Sequence, residues 1–361
     1  MPGTMCARWT LLAVAGVVSF MASASACAAQ ERADSGVFVV RLGHDTTAIE
    51  RYLRSGDTVK GTIVTRSPGT RVAQYVIALA PDGTVRAVGV ARDGEELQMR
   101  PAPVAGGIAV FAGSYVPYQL AVQRAAAAGG DSTDIVMIAG DDANTVVVRR
   151  IDPSTYRLPN QFDVEMTATV DAEQRITRVE VAGGTTVERA PWLDIDRIAG
   201  DFRARDAAGT GLGPLSPRDT TSASVGGATI EVDYGRPSLR GRELSQLAPN
   251  DQVWRTGANA ETQLTTDRPL VFGSLTVAAG TYSLFTIPSA SSWTLILNRE
   301  IGQGGLEYNA GQDVGRIEMQ TGRDGPHTEQ LTIDVEESAG GGVLTIRWGT
   351  LVARAPFSVG T

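Results

Sequence analysis

The chain has 361 residues, room for two domains at roughly 150 residues each. Its 42% apolar and 20% charged content suits buried cores and excludes a disordered or fibrous protein. A net charge of −8 argues against a nucleic-acid partner, which needs a basic face to neutralise phosphates.

Both cysteines, Cys6 and Cys27, fall at the start of the chain. Arg8, the apolar stretch Trp9 to Ala22 and the small residues Ala24-Ser25-Ala26 read as a secretory signal within residues 1–29. The apolar stretch is shorter than the roughly 20 residues of a membrane span. The expectation is an exported protein, periplasmic or secreted. Cleavage before Cys27 would instead leave a lipid-anchored outer-membrane lipoprotein, although Ala24 stands where such signals carry Leu.

From Val37 the pattern is a meander of predicted strands at Val37–Leu42, Thr46–Arg54, Thr58–Arg66, Arg71–Leu79 and Thr84–Ala91. Turns such as Ser55-Gly56-Asp57 and Pro81-Asp82-Gly83 separate them. Pro117 to Ala128 is the best helix candidate: alanine-rich, opened by a proline and stopped by Gly129-Gly130. Strands resume at Asp134–Ile138, Thr145–Arg150, Phe162–Val170, Ile176–Val181 and Thr185–Ala190, and Trp192 to Asp206 fits a short acidic helix. For residues 36–206 this predicts a curved antiparallel sheet with one helix against its concave face. At the level of fold alone that is similar to lipoprotein carriers and related half-barrels.

Residues 207–217, rich in Gly and Pro, read as a linker. In residues 218–361, Leu331, Ile333 and Val335 alternate with polar residues, as do Leu344, Ile346 and Trp348 and then Leu351 to Val359. That period of two predicts an antiparallel β-sandwich, so the fold class is mainly β.

Four pieces of this second domain concentrate Arg, Trp, Tyr and Asn: Tyr234 to Arg242, Val253 to Asn259, Ala279 to Pro288 and Trp293 to Asn298. On them, about residues 216 to 359 resemble an exported bacterial family catalogued as domain of unknown function 2911. The landmarks are Tyr234-x-Arg236-Pro237 with Gly241-Arg242, Trp254-Arg255-Thr256-Gly257-Ala258-Asn259, Ala279 to Leu284, and Trp293 through Asn298. Similar sequences carry Glu directly after the Gly-Ala-Asn; here Ala260 stands there and Glu261 follows. The Trp-Gly pair ahead of the late tyrosine is here Gly304-Gly305, before Tyr308. The resemblance implies the domain and no activity.

The candidate ligand-binding residues are Tyr234, Arg236, Arg240, Arg242, Trp254, Arg255, Asn259, Glu261 and Tyr282. Guanidinium groups grip carboxylates, phosphates and sulfates with paired donors, and Trp254 and Tyr282 could stack on a ligand. The simpler alternative is internal: the arginines pair with Asp251, Glu261, Asp313 or Glu318, because a buried charge must be partnered, and the aromatics are packing. His44 and His327 are the two histidines, in different predicted domains, and no Gly-x-Ser-x-Gly, His-Glu-x-x-His or Walker loop is present, so no catalytic, metal or cofactor site is assigned.

The reading favoured is non-enzymatic binding of a small anionic or sugar-like molecule by the C-terminal domain. Two alternatives remain. One is a hydrolase of envelope or polysaccharide material using Glu261 or Asp313 as acid or base, with Arg255 stabilising developing charge. The other is a carrier of a lipid or apolar ligand in the N-terminal sheet.

Overall fold

The computed structural model describes residues 35–140, 142–323 and 325–360. The predicted leader and Cys27 lie outside them. The mainly β fold expected from the patterning is present, as two large sheets.

The first sheet has thirteen strands: β1 (Ser35–Leu42), β2 (Asp45–Ser55), β3 (Thr58–Thr65), β4 (Arg71–Leu79), β5 (Val85–Arg92), β6 (Arg100–Pro101), β7 (Ile108–Val110), β8 (Ser132–Ala139), β9 (Asp142–Asp152), β10 (Thr155–Pro159), β11 (Glu165–Val170), β12 (Ile176–Val181) and β13 (Thr185–Ala190). Their spatial order runs β6 to β1 and then β13 to β7, so the chain lays down one half, crosses over, and returns to meet β1 with β13. Pairing is antiparallel except between β7 and β8. The sheet curls until β5 and β7 touch, but no ladder joins the two ends, and the barrel stays open along that seam.

Helix α1 (Val116–Ala128) lies on the concave face, packing Val116, Leu120, Ala121, Val122 and Ala125 against Phe38, Tyr52, Ile63, Ile135 and Val179. Gly129 ends it in the left-handed region at φ 76°, its N–H donating to the Ala125 carbonyl. The start of α1 has no side-chain cap of its own. Glu50 of β2 reaches across to accept from the Tyr115 N–H at 2.6 Å, so the sheet supplies the missing acceptor.

Helix α2 (Ile195–Ala207) covers the opposite face, where Ile195, Ala199 and Phe202 meet Val37, Val39, Ile49 and Val64. The continuous run Val37-Phe38-Val39-Val40 is therefore apolar on both sides because both sides of β1 are covered. One predicted strand changes: Phe162 to Val164 form a turn and β11 begins at Glu165. Asn160 Oδ1 accepts from the N–H groups of Phe162 and Val164 and holds the turn outside the ladder.

The second sheet comprises β14 (Arg218–Val225), β15 (Ala228–Gly235), β16 (Thr262–Thr266), β17 (Leu270–Phe272), β18 (Leu275–Val277), β19 (Gly280–Pro288), β20 (Trp293–Asn298), β21 (Asp313–Gly322), β22 (Thr328–Ser338), β23 (Gly341–Gly349) and β24 (Leu351–Val359), with a one-turn helix α3 (Leu244–Leu247). It folds over as an antiparallel sandwich: β24 pairs with β21, β23 and β17, and β22 packs across β14 and β15. At its centre Trp254 stacks on Trp348 at 5.5 Å and meets Trp293 edge-on at 6.0 Å.

The two domains dock through short backbone approaches. The β1–β2 turn at Gly43-His44 and the β12–β13 turn at Gly183-Gly184 seat against Arg240-Gly241-Arg242. The His44 N–H donates to the Arg240 carbonyl at 2.9 Å, and Arg240 pairs with Asp45. A Cβ on Gly43, whose φ is +59°, would strike the Arg240 carbonyl oxygen, so this turn requires glycine.

Candidate functional site

The nine sequence candidates do not share one hollow; they fall into three groups. In the first, Tyr234 is a buried strut. Its hydroxyl accepts from the Ile333 N–H at 2.9 Å and donates to the Ile333 carbonyl at 3.3 Å, tying β15 to β22. Arg236 beside it donates to the Leu331 carbonyl at 3.0 Å and pairs with Asp219 at 2.7 Å.

In the second group, Arg240 is consumed by Asp45 and Arg242 by three carbonyls: Leu239 at 2.9 Å, Gly183 at 2.7 Å and Ser238 at 2.6 Å. Burial, and then the neighbouring charge of Arg240, bring the Arg242 guanidinium down to about 10. Arg236 and Arg240 are thus ion-paired, but with Asp219 and Asp45 and not with the acids expected from sequence. Arg236 spends Nε, Nη1 and Nη2 on the Leu331 carbonyl, Asp219 and Thr332, while Arg240 pairs through Nη1 and keeps a buried Nε without a partner.

The third group is the segment Trp254 to Glu261. Trp254 and Tyr282, expected as stacking surfaces, are buried in the sandwich core; the Tyr282 hydroxyl donates to the Ala278 carbonyl. Arg255 and Asn259 stay at the surface of this segment, Arg255 half-buried and Asn259 exposed. Glu261 is buried and accepts from Gln263 Nε2 at 2.7 Å and the Gly302 N–H at 2.8 Å. Burial pushes its carboxyl up, those two donors outweigh it, and the group lies below the usual range. Asp313, the other candidate acid, accepts from the Tyr308 hydroxyl at 2.7 Å, from Asn298 at 2.9 Å and from Arg316 at 3.1 Å.

A large open space lies in the other domain. Along the seam of the N-terminal sheet runs a hollow of about 970 Å³, walled by Val88 and Val90 of β5, Val110 of β7, Ile138 of β8, Phe111 and Phe162. A second hollow of about 670 Å³ shares Val110, Ala139 and Gln161 with it. A third, about 260 Å³ at the start of α1, shares Phe111, Gln161 and Phe162 and is closed by Tyr118, Met166 and the connector residue Leu215. The first volume suits a ligand of several hundred Å³.

The mouth of the seam is unusual for a protein surface. Phe162 is 68% exposed at the tip of a built turn, and Met99 and Val104 are also exposed in chain segments that border the hollow. Arg92 and Arg100 line the rim with Glu95 and Glu96. Among the described residues neither guanidinium has a hydrogen-bond or ion-pair partner. The sequence alternative of an apolar-ligand carrier in the N-terminal sheet named none of these residues. The signal available was Phe162 itself, an aromatic between Asn160 and Asp163 in turn-forming company.

The floor of the concave face is fixed by Glu50. Fully buried, it accepts from the Tyr75 hydroxyl at 2.7 Å, the Ser114 hydroxyl at 2.6 Å and the Tyr115 N–H at 2.6 Å. Burial pushes its carboxyl up, against the pull of those donors. Among the described residues, no group of three or more His, Cys, Asp and Glu side chains could hold a metal ion, and no helix is long and apolar enough to cross a membrane.

With both domains described, comparison with known proteins divides them. Residues 216–357 match the model of a family described as a protein of unknown function, DUF2911. The C-terminal domain is DUF2911-like. The residues ahead of this DUF2911-like domain match no family. No curated protein matches the chain. Among solved structures, a DUF1089 family protein from Pseudomonas aeruginosa is 14% identical over 39% of this chain and 91% of its own, with a TM-score of 0.30.

Proposed function

We propose that this is an exported carrier of an amphiphilic ligand, with the apolar part held in the seam hollow of the N-terminal sheet. The DUF2911-like domain docks that sheet. The observation that carries the reading is the unclosed seam: a hollow of about 970 Å³ with an aliphatic wall, opening beside an aromatic side chain that a rigid turn holds in solvent. Each methylene moved from water into such a space contributes roughly 0.8 kcal/mol, so a chain of several methylenes offsets the entropy of binding. Arg92 and Arg100 at the rim leave a polar end in reach of water. Export rests on the leader pattern of Trp9 to Ala26.

The test is fluorescence titration of the full chain without its leader against a dansylated undecanoic acid. Saturable binding is expected, weakened at least tenfold by Ala139→Trp, which fills the space shared by the two larger hollows. Absence of binding, or equal binding by the variant with its unfolding temperature unchanged, would overturn the assignment.

A further inference from the structure

We propose that Arg255 of the DUF2911-like domain, covered by the loop 302–305, is a binding site for a compact oxyanion, a carboxylate or phosphate group. Of the four arginines in the motif region, Arg240 shares a buried, unpartnered Nε but is anchored by Asp45, whereas Arg255 has no anchor at all among the described residues. Arg236, Arg240 and Arg242 are each bound by carboxylates or carbonyls. No nitrogen of Arg255 has a hydrogen-bond or ion-pair partner among the described residues, and its Nε is buried without one. Burial alone lowers its pKa, with no acid offsetting it. A half-buried cation without a counter-charge is costly, and an orphaned buried donor calls for a ligand.

The surroundings hold that side chain in place. Gly305 lies flat on it: a Cβ there would sit 2.6 Å from Arg255 Cδ and collide with the Asn259 carbonyl oxygen. Ala260 bridges to Gly304, and Glu261 accepts from the Gly302 N–H, so the acid at the end of this segment is spent on fixing the loop that covers the arginine. The backbone beneath is strained, with Thr256 at φ +54° and Asn259 at φ +65°. For a β-branched threonine that conformation is disfavoured and must be held by its surroundings. The Thr286 hydroxyl at 3.0 Å and the Thr262 hydroxyl at 3.0 Å keep it there.

The covering loop carries a second orphan of the opposite kind. Gln303 Oε1 is buried without a donor. Exchanging the amide atoms does not cure this: Ser283 Oγ donates to the Glu300 carbonyl and so must accept from Gln303 Nε2, which fixes the orientation. A donor-seeking oxygen and a partnerless guanidinium on adjoining segments suit an oxyanion that also carries a hydroxyl, such as hydrogen phosphate.

The experiment titrates inorganic phosphate, and separately acetate, into the full chain without its leader at ionic strength held constant with sodium chloride. Calorimetry and unfolding temperature are the readouts. Saturable binding with a rise in unfolding temperature is expected, phosphate ahead of acetate. Arg255→Gln should weaken it at least tenfold, Arg255→Lys should fall between, and Arg236→Gln should leave it within twofold. If Arg255→Gln does not fold, the Arg255 Nε–H resonance of the unaltered protein must shift on phosphate addition. No saturable effect beyond sodium chloride, an unmoved resonance, or equal loss in the Arg236 and Arg255 variants would overturn the site. The dansyl titration of the N-terminal hollow should be untouched by Arg255→Gln, so failure of either assignment is seen separately.

Discussion

Removing the Glu50 carboxylate would test whether the sheet positions helix α1. Its oxygens serve three donors inside the core, the Tyr75 and Ser114 hydroxyls and the Tyr115 N–H. Leaving a buried donor unmet costs about 1–3 kcal/mol, so Glu50→Ala should lose roughly 3–6 kcal/mol, the upper end reduced where water enters the space left behind. Glu50→Gln keeps the volume but turns an NH₂ group toward one donor, for a loss of about 1–3 kcal/mol. The pH dependence is more diagnostic. Burial holds the folded carboxyl above its unfolded value of about 4.3. The folded state therefore binds the proton more tightly, and this contribution to stability is complete below the unfolded pKa and lost as pH rises through the folded one. The advantage of the natural protein over Glu50→Gln should be largest in acid and shrink with rising pH. Urea unfolding followed by far-ultraviolet circular dichroism measures it, with the three buried tryptophans of the C-terminal domain reporting that domain separately. A difference that is constant from acid to neutral pH, or that widens, would refute the account of Glu50.

Other substitutions address the domain junction, the sandwich and the strained loop. Arg240→Ala breaks the pair with Asp45 and should cost about 1–3 kcal/mol, speeding proteolytic cleavage within residues 208–217 in a timed digest. Tyr234→Phe leaves both Ile333 backbone groups without their bridge and should destabilise the C-terminal domain by about 1–3 kcal/mol, read by tryptophan fluorescence in urea. Asn259→Gly, relieving a left-handed residue whose side chain makes one long bond, should raise that domain's stability by up to about 1 kcal/mol. A loss there would show that the asparagine side chain holds the loop.

Much of the architecture was legible because it is local. Leu331, Ile333 and Val335 alternate where β22 lies over the core, and Pro117 with Gly129 brackets α1 to within a residue. What was not legible depends on partners far along the chain. Nothing near Arg240 announces Asp45, and nothing near Arg236 singles out Asp219 over other acids. The tryptophan and tyrosine of the motif region looked like ligand surfaces because their polar neighbours are adjacent in sequence; in space Trp254 faces Trp348 and Trp293. The seam was hidden for another reason. Its edges, β6 and β7, are two and three residues long, too short for any periodicity, and whether a curling sheet closes is settled by all thirteen strands together.

Leu215 belongs to the segment joining the two domains, yet it helps wall the small hollow beside α1. A guest pressing deep enough to claim that corner would have to push the tether aside. Occupancy at one end of the molecule would then be felt as slack or tension at the hinge, with no dedicated relay between them.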